Sequence, residues 1–444
     1  MHSFLHSTNT TICFIWHYNL NVNRFNKILL SFLLCIFFSA SINAEKKSDS
    51  IQANFESQLD SLATSIDSMN LESNDSAKNA SSWDSFINKL PSWSQEYIRS
   101  LFTGNVDRTF EKKVDMSWGI IPSYGREASF GLLGAATGQY RVNRQDSTLS
   151  PSDFTISLNA TLNGFFVLDI YGNHLFSDHK SRISYDIELY RKRLEFWGLT
   201  VDESTKNQMS QYDRRQINFH AQYIYDINDK FYVGGVLQAN YTDAVNVLNP
   251  EYMLGYQNQF FVTGAGLSLG FDTRDHLVTP TKGIHILYQP MIFPKFLGNA
   301  GVTFHSHKFI FDGYFKMWKG SVLAVDLYTK FNSKNVPWTM REMIAADGVR
   351  MRGYYMGSII DNNQIAAQIE YRQQIWKRLG AVVWGGYGTL FPDFDALKNY
   401  KDLHFFPNYG VGLRFEFKNK VNIRADYGFG KNTSGLIVTI GEAF

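Results

Sequence analysis

From about residue 109 onward, apolar and polar residues alternate with a period of two, the mark of strands whose two faces meet different surroundings. In segment 420–430, Val421, Ile423, Ala425, Tyr427 and Phe429 share one face, while Asn422, Arg424, Asp426 and Gly428 share the other. Segment 216–225 repeats this with Ile217, Phe219, Ala221, Tyr223 and Tyr225, and segment 409–417 carries Arg414 and Glu416 on its polar face. Strands of soluble sandwiches run to about five or six residues. Many of these span 10 to 15, enough to cross a bilayer at a tilt of roughly 45°.

Starting from a strand near 114–122, the alternation predicts further strands at about 127–142, 152–162, 165–176, 181–192, 212–226, 230–242, 260–272, 283–294, 302–317, 321–333, 364–376, 381–391, 407–417, 420–430 and 435–443. The expected fold is therefore all-β: a transmembrane antiparallel barrel of about 16 strands. Links sort by side. The turns at 177–180, 227–229, 318–320, 378–380 and 419–420 are tight, whereas 194–212, 246–258, 333–364 and 392–407 are long. Short turns at one end and long loops at the other are the habit of outer-membrane barrels.

The front of the chain follows other rules. Residues 1–44 read as a cleaved signal peptide: basic Arg24 and Lys27, an apolar run from Ile28 to Phe38, then small residues ending at Ala44. Residues 45–108 form a polar periplasmic segment, with Ile51, Phe55, Leu59, Leu62, Ile66 and Met69 at helical spacing. A disordered tail and a helix docked on the barrel both fit that spacing. Residues 109–444 form the barrel.

Composition sharpens this. The chain of 444 residues holds 9 Trp, 24 Tyr and 36 Phe, yet its mean hydropathy is −0.24, because alternation averages a lipid face against a polar lumen. Both cysteines, Cys13 and Cys35, lie in the expected signal, so the exported chain has no disulfide or cysteine metal site. Losing the signal removes 2 of 43 basic residues and none of the 41 acidic ones. With 41 of each left, no basic footprint for nucleic acid remains.

Three segments of the region 260–444 resemble the BamA/TamA-like outer-membrane barrel family, also called bacterial surface antigen barrels. The first, 264–283, carries Asp272, Arg274 and Asp275 followed by Pro280 and Gly283, similar to a family periplasmic turn. The second is Met351-Arg352-Gly353-Tyr354 in the longest loop, followed by Gln368 to Arg372. The third runs from Gly410 to Phe415 and Val421 to Gly428, ending in a terminal Phe444 expected to share a face with Leu436, Val438 and Ile440. The resemblance implies a lumen-docked loop whose Arg352 meets a carboxylate through charge-assisted hydrogen bonds. Gly353 would allow the sharp turn and Tyr354 would stack in the wall. Related barrels usually supply the acid from the strand after Arg372, but here that strand has glycine near Gly386. Parity places Glu370 in the lumen with Ala366, Gln368 and Arg372, making Glu370 the first candidate partner and Asp426 the second.

The resemblance further implies a short form without periplasmic POTRA modules, because only about 65 residues separate Ala44 from the barrel. Its expected role is non-enzymatic: assisting insertion, assembly or translocation of outer-membrane proteins, as a monomer in the outer-membrane bilayer with client barrels and periplasmic chaperones as partners. A passive pore or structural barrel is the alternative. No catalytic residue, cofactor or metal is expected: no Gly-x-Ser-x-Gly elbow precedes the barrel, and the chain shows no phosphate-binding glycine loop. His305 and His307 lie on one side of a strand without a third ligand nearby, as rim residues.

Overall fold

A computed structural model describes residues 109–444, apart from 126, 127, 147, 377, 400, 402, 419 and 420, together with Asn88 and Gln95. The expectations for residues 1–44 and 45–108 fall outside the described residues, those two positions apart. Strands β1 (Asp115–Gly125), β2 (Ser129–Tyr140), β3 (Ser152–Thr161), β4 (Phe166–Leu175), β5 (Ser181–Phe196), β6 (Ser210–Asp226), β7 (Phe231–Val245), β8 (Gln259–Asp272) and β9 (Gly283–Phe293) follow in order. They continue as β10 (Phe304–Lys316), β11 (Ser321–Asn332), β12 (Glu342–Met343), β13 (Ile360–Asp361), β14 (Asn363–Trp376), β15 (Leu379–Phe391), β16 (Phe405–Lys418), β17 (Val421–Gly430) and β18 (Thr433–Ile440). Sixteen of them close into an antiparallel barrel in which each pairs with its neighbours in sequence, except that β11 pairs directly with β14. The small hairpin β12–β13 lies in the loop between those two, a feature the alternation did not announce.

The alternation has a direct physical outcome. Trp118, Ile120, Leu132, Ile217, Leu237, Leu267, Tyr409, Val411 and Tyr427 are exposed on the outer surface, while their neighbours one residue away turn inward. Local turn chemistry sets the register at the short-turn end. Asp178 Oδ1 accepts the backbone N–H groups of Lys180 and Ser181, and Asn228 Oδ1 those of Lys230 and Phe231, the Asx device that closes a tight turn.

The β8–β9 turn is built from the residues of the family-like motif. Arg274 donates to both oxygens of Asp272 (Nε–Oδ1 3.0 Å, Nη2–Oδ2 2.7 Å). Asp275 accepts from the Thr281 N–H at 2.8 Å and from Thr281 Oγ1 at 2.5 Å. Burial alone would raise the Asp275 carboxyl, but these hydrogen bonds and one from the Lys282 N–H hold it down at about 2. Pro280 is buried. Gly283 sits at φ +108° with its backbone on that of Thr273, a conformation and a closeness that no side chain tolerates.

A barrel of this strand number encloses more space than its wall side chains fill. Loop 333–362 folds into that space. Its base packs at the long-loop end with Leu194, Phe196, Leu199, Tyr212, Met253, Phe260, Trp338 and Ile360 in one apolar cluster. Helix α1 (Val201–Lys206), N-capped by Thr200, joins it: Val201 N–H donates to Asp361 Oδ2 at 3.2 Å. Arg341 Nη1 donates to the Leu199 carbonyl at 2.7 Å, and Trp338 Nε1 to that of Gln257 at 2.9 Å. Helix α2 (Phe394–Lys398) lies in the β15–β16 loop.

One expectation is corrected. Phe444 does not continue the outer face of Leu436, Val438 and Ile440. The strand stops at Ile440, Gly441 takes φ +101°, and Phe444 packs inside against Tyr314, Val322 and Ala324. The left-handed glycine breaks the alternation that the sequence pattern extrapolates. His305 and His307 are exposed on the outside of β10, where His307 Nδ1 lies 3.0 Å from Tyr288 Oη.

Candidate functional site

The site lies where the tip of loop 333–362 meets the inner face of β14–β17. Parity puts Gln368, Glu370 and Arg372 of β14, Trp384 of β15, Arg414 of β16, and Arg424 and Asp426 of β17 on that face, and all are buried. The tip reaches them because its path along the wall is paved with glycine. A Cβ on Gly428 would stand 2.6 Å from the Arg352 carbonyl carbon, and one on Gly353 the same distance from that of Gly428. Backbone thus rests on backbone, and Gly353 also takes φ +103°. Gly430 leaves the seat for the Tyr354 ring, which packs edge-on against Phe406 at 6.1 Å. Tyr354 Oη donates to the Pro407 carbonyl and accepts from the Lys431 N–H, both at 2.8 Å.

Arg352 is fully buried, at 0% exposure, as are Glu370 and Asp426. Its Nη2 donates to Glu370 Oε2 at 2.7 Å and Gln368 Oε1 at 3.3 Å, and its Nη1 donates to Asp426 Oδ2 at 2.8 Å. The guanidinium carbon lies 3.7 Å above the Trp384 ring centre, within cation–π range. The structure therefore brings both candidate acids to one arginine from two different strands. A side chain at Gly386 would press on the Ala367 carbonyl oxygen at 2.5 Å, with Gln368 and Asn408 each at 2.8 Å.

The carboxylates are shared further. Arg372 Nε donates to Glu370 Oε1 at 2.8 Å. Arg414 Nη1 donates to Asp426 Oδ1 at 2.5 Å and its Nε to Glu442 Oε2 at 2.8 Å, while Arg424 Nη1 reaches Asp426 Oδ2 at 3.3 Å and its Nη2 the Gly348 carbonyl at 2.9 Å. Next along the loop, Arg350 grips Asp326 of β11 with three hydrogen bonds (Nε–Oδ2 2.9 Å, Nε–Oδ1 3.2 Å, Nη2–Oδ1 2.5 Å) and meets Asp347 at 2.9 Å.

Such a buried network contributes position more than stability, since desolvation offsets most of the Coulomb gain, yet removing one partner strands the others at a cost of about 3–5 kcal/mol. Chemically it is a clamp. Its hydrogen bonds hold the loop tip against the lumenal wall.

Sequence reasoning placed Gln368 in the lumen but did not find it as a partner of Arg352, nor the Trp384 platform, the Arg350–Asp326 grip or the sharing of Asp426 by three arginines. Arg414, Arg424 and Asp426 were each legible as lumenal from parity, but no periodicity announces that β14 and β17, three strands apart, bring their acids to one arginine. The turn residues Asp272, Arg274, Asp275, Pro280 and Gly283 lie apart from this site, in the β8–β9 turn.

No family model matches the sequence, and no curated relative matches it. Among solved structures, the fold is similar to that of CdiB from Escherichia coli, with a TM-score of 0.52 at 11% identity over 74% of this chain and 63% of that one. CdiB from Acinetobacter baumannii gives a TM-score of 0.47 at 13% identity over 74% and 60%. BamA from Haemophilus ducreyi lacking POTRA domains 1–3 gives 0.48 at 10% identity over 74% and 70%. The matched part thus spans less than two thirds of either CdiB chain, and at these identities the likeness is one of fold.

Proposed function

We propose that this protein is a non-enzymatic barrel of the bacterial outer membrane that assists the insertion or translocation of other outer-membrane proteins. The apolar outer surface suits lipid, and an outer-membrane setting puts the short turns in the periplasm and the long loops outside. The observation that carries the reading is the seam. Among the described residues, strands β1 and β18 share two residue pairs, Tyr124 with Val438 and Gly125 with Ile437, whereas β5 and β6 pair along 16. A ladder this short marks the place where the wall opens most easily and another strand can add. The clamped loop supports the same reading, because it keeps the wall beside the seam rigid.

Depletion of the protein in its host, followed by quantitation of other outer-membrane barrels, tests this. Their abundance falls if the reading is right. Unchanged levels, together with steady single-channel conductance of the purified barrel, overturn it in favour of a passive pore. One feature favours that second reading: Tyr171 and Asp186 point into the lumen yet are exposed, so part of the interior stays wet.

A further inference from the structure

Four residues at the end of the chain do something that the barrel wall does not require of them. After the turn at Gly441, Glu442 accepts from Arg414 Nε at 2.8 Å and from Asn422 Nδ2. Ala443 is buried. The Phe444 carbonyl oxygen accepts from Arg372 Nη2 at 2.8 Å, and its ring lies 5.1 Å from the Arg372 guanidinium and 6.4 Å from the Tyr314 ring. Tyr314 belongs to β10, and Val322 and Ala324, which complete the seat, belong to β11. The end of the strand that forms the weak seam is thus anchored away from that seam, on strands far around the wall.

The anchor and the loop tip also share one carboxylate. Glu370 gives Oε1 to Arg372, which holds Phe444, and Oε2 to Arg352, which holds the loop. We infer that Gly441–Phe444 is an internal latch on β18, and that Glu370 couples the latch to the docked loop, so that releasing either loosens the other. This inference rests on the seam being the working part of the protein. Closed, the latch draws the end of β18 inward and fixes its approach to β1. Released, it leaves β18 held to β1 through the short ladder at Tyr124–Val438 and Gly125–Ile437. Space for release is present: a cavity of about 420 Å³ lined by Arg372, Arg414 and Glu442 adjoins the tail at the short-turn end.

The two native cysteines, Cys13 and Cys35, are changed to serine, and Tyr124→Cys and Val438→Cys are introduced across the seam. The initial rate of oxidant-driven disulfide formation in the purified full chain then reads the closed fraction. Phe444→Ala and Arg352→Ala are each expected to lower that rate at least about twofold, and Phe444→Tyr, which keeps the ring, to leave it near the parent value, as a two-state equilibrium biased by a few hydrogen bonds requires. Combined, Phe444→Ala and Arg352→Ala fall short of the product of their separate effects, and this coupling disappears when Glu370→Gln is added to every arm. Heat-modifiability on gels certifies that each barrel is folded, and any variant that fails it is replaced by Arg372→Lys, which keeps the charge but cannot bridge Glu370 and Phe444 in the same geometry. Unchanged rates in folded variants overturn the latch, and strictly multiplicative effects overturn the coupling. Because the readout is a rate on the purified chain, it is independent of whether depletion alters other barrels, so the latch and the proposed function fail separately.

Discussion

Two walls of the same lumen look alike in sequence and differ in the fold. On β14–β17 the inward charges Glu370 and Asp426 are fully buried. On β3–β5 the inward residues Asp153, Asp169, Asp186 and Glu188 line a space in which Tyr171 is 40% exposed. Among the described residues, the first wall pairs its acids with Arg352, Arg372, Arg414 and Arg424. The second offers one ion pair, Lys192 with Glu188. The difference lies in what covers each wall, and the glycines decide it. Gly388, Gly428 and Gly430 leave room on the first wall for Met351, Arg352 and Tyr354, whereas β3–β5 carry no inward glycine. An acid covered by a loop becomes a ligand for an arginine, and the same acid left uncovered faces water.

Arg352→Ala puts the largest strain on this contrast. It strands Glu370 and Asp426 without their shared cation and is expected to cost docking of the loop about 3–5 kcal/mol. Proteolysis within 333–362 accelerates and the single-channel conductance rises; a loop as resistant as the parent's shows that the clamp does not hold it. Gly428→Ala comes next, because its Cβ falls 2.6 Å from the Arg352 backbone, and overpacking of this kind costs about 1–3 kcal/mol. Gly235→Ala on the outer face of β7, where nothing lies within 4 Å, is the control; equal thermal shifts for the two glycines would mean that the glycine path is not what seats the loop.

A smaller effect is expected at the uncovered wall. Asp186→Asn changes stability by no more than about 0.5 kcal/mol, as for a solvated surface group, while Asp326→Asn, which removes the Arg350 grip, costs several times that. Comparable denaturant midpoints for both would erase the distinction between the walls. The smallest effect is a pH response outside the membrane. Asp275 has its pKa held at about 2 in the folded turn, below the ordinary carboxylate value of about 3.9. Its contribution is therefore complete above about pH 4 and is lost as pH falls through 2. Hydrogen exchange of the β8–β9 turn should quicken over that window and lose the dependence in Asp275→Asn; an identical pH profile in the variant would remove Asp275 from the account.

Much of the fold was legible in the chain. Alternation at 216–225 and 420–430 marks β6 and β17 because a lipid face and a wet face impose opposite chemistry on adjacent residues. Parity placed Glu370 and Asp426 inside for the same reason. Arg352 stood out as part of a motif, but its partners came from strands β14 and β17, and no local pattern records which positions closure of a barrel brings face to face. Phe444 shows the opposite failure: the local pattern was clear, and a single glycine at φ +101° overrode it.

The chain by itself determined the period of two, the strand count, the two kinds of connection and the identity of the inward charges, since these depend only on what each residue's neighbours are and which solvent each face meets. Tertiary structure alone decided which lumenal acids are clamped and which stay wet, where the long loop rests, how thinly β1 and β18 are joined, and that the last aromatic turns inward. Those outcomes depend on ring closure, which makes residues remote in sequence neighbours and leaves the glycine-lined wall as the place where a backbone can approach closely enough to bury an arginine.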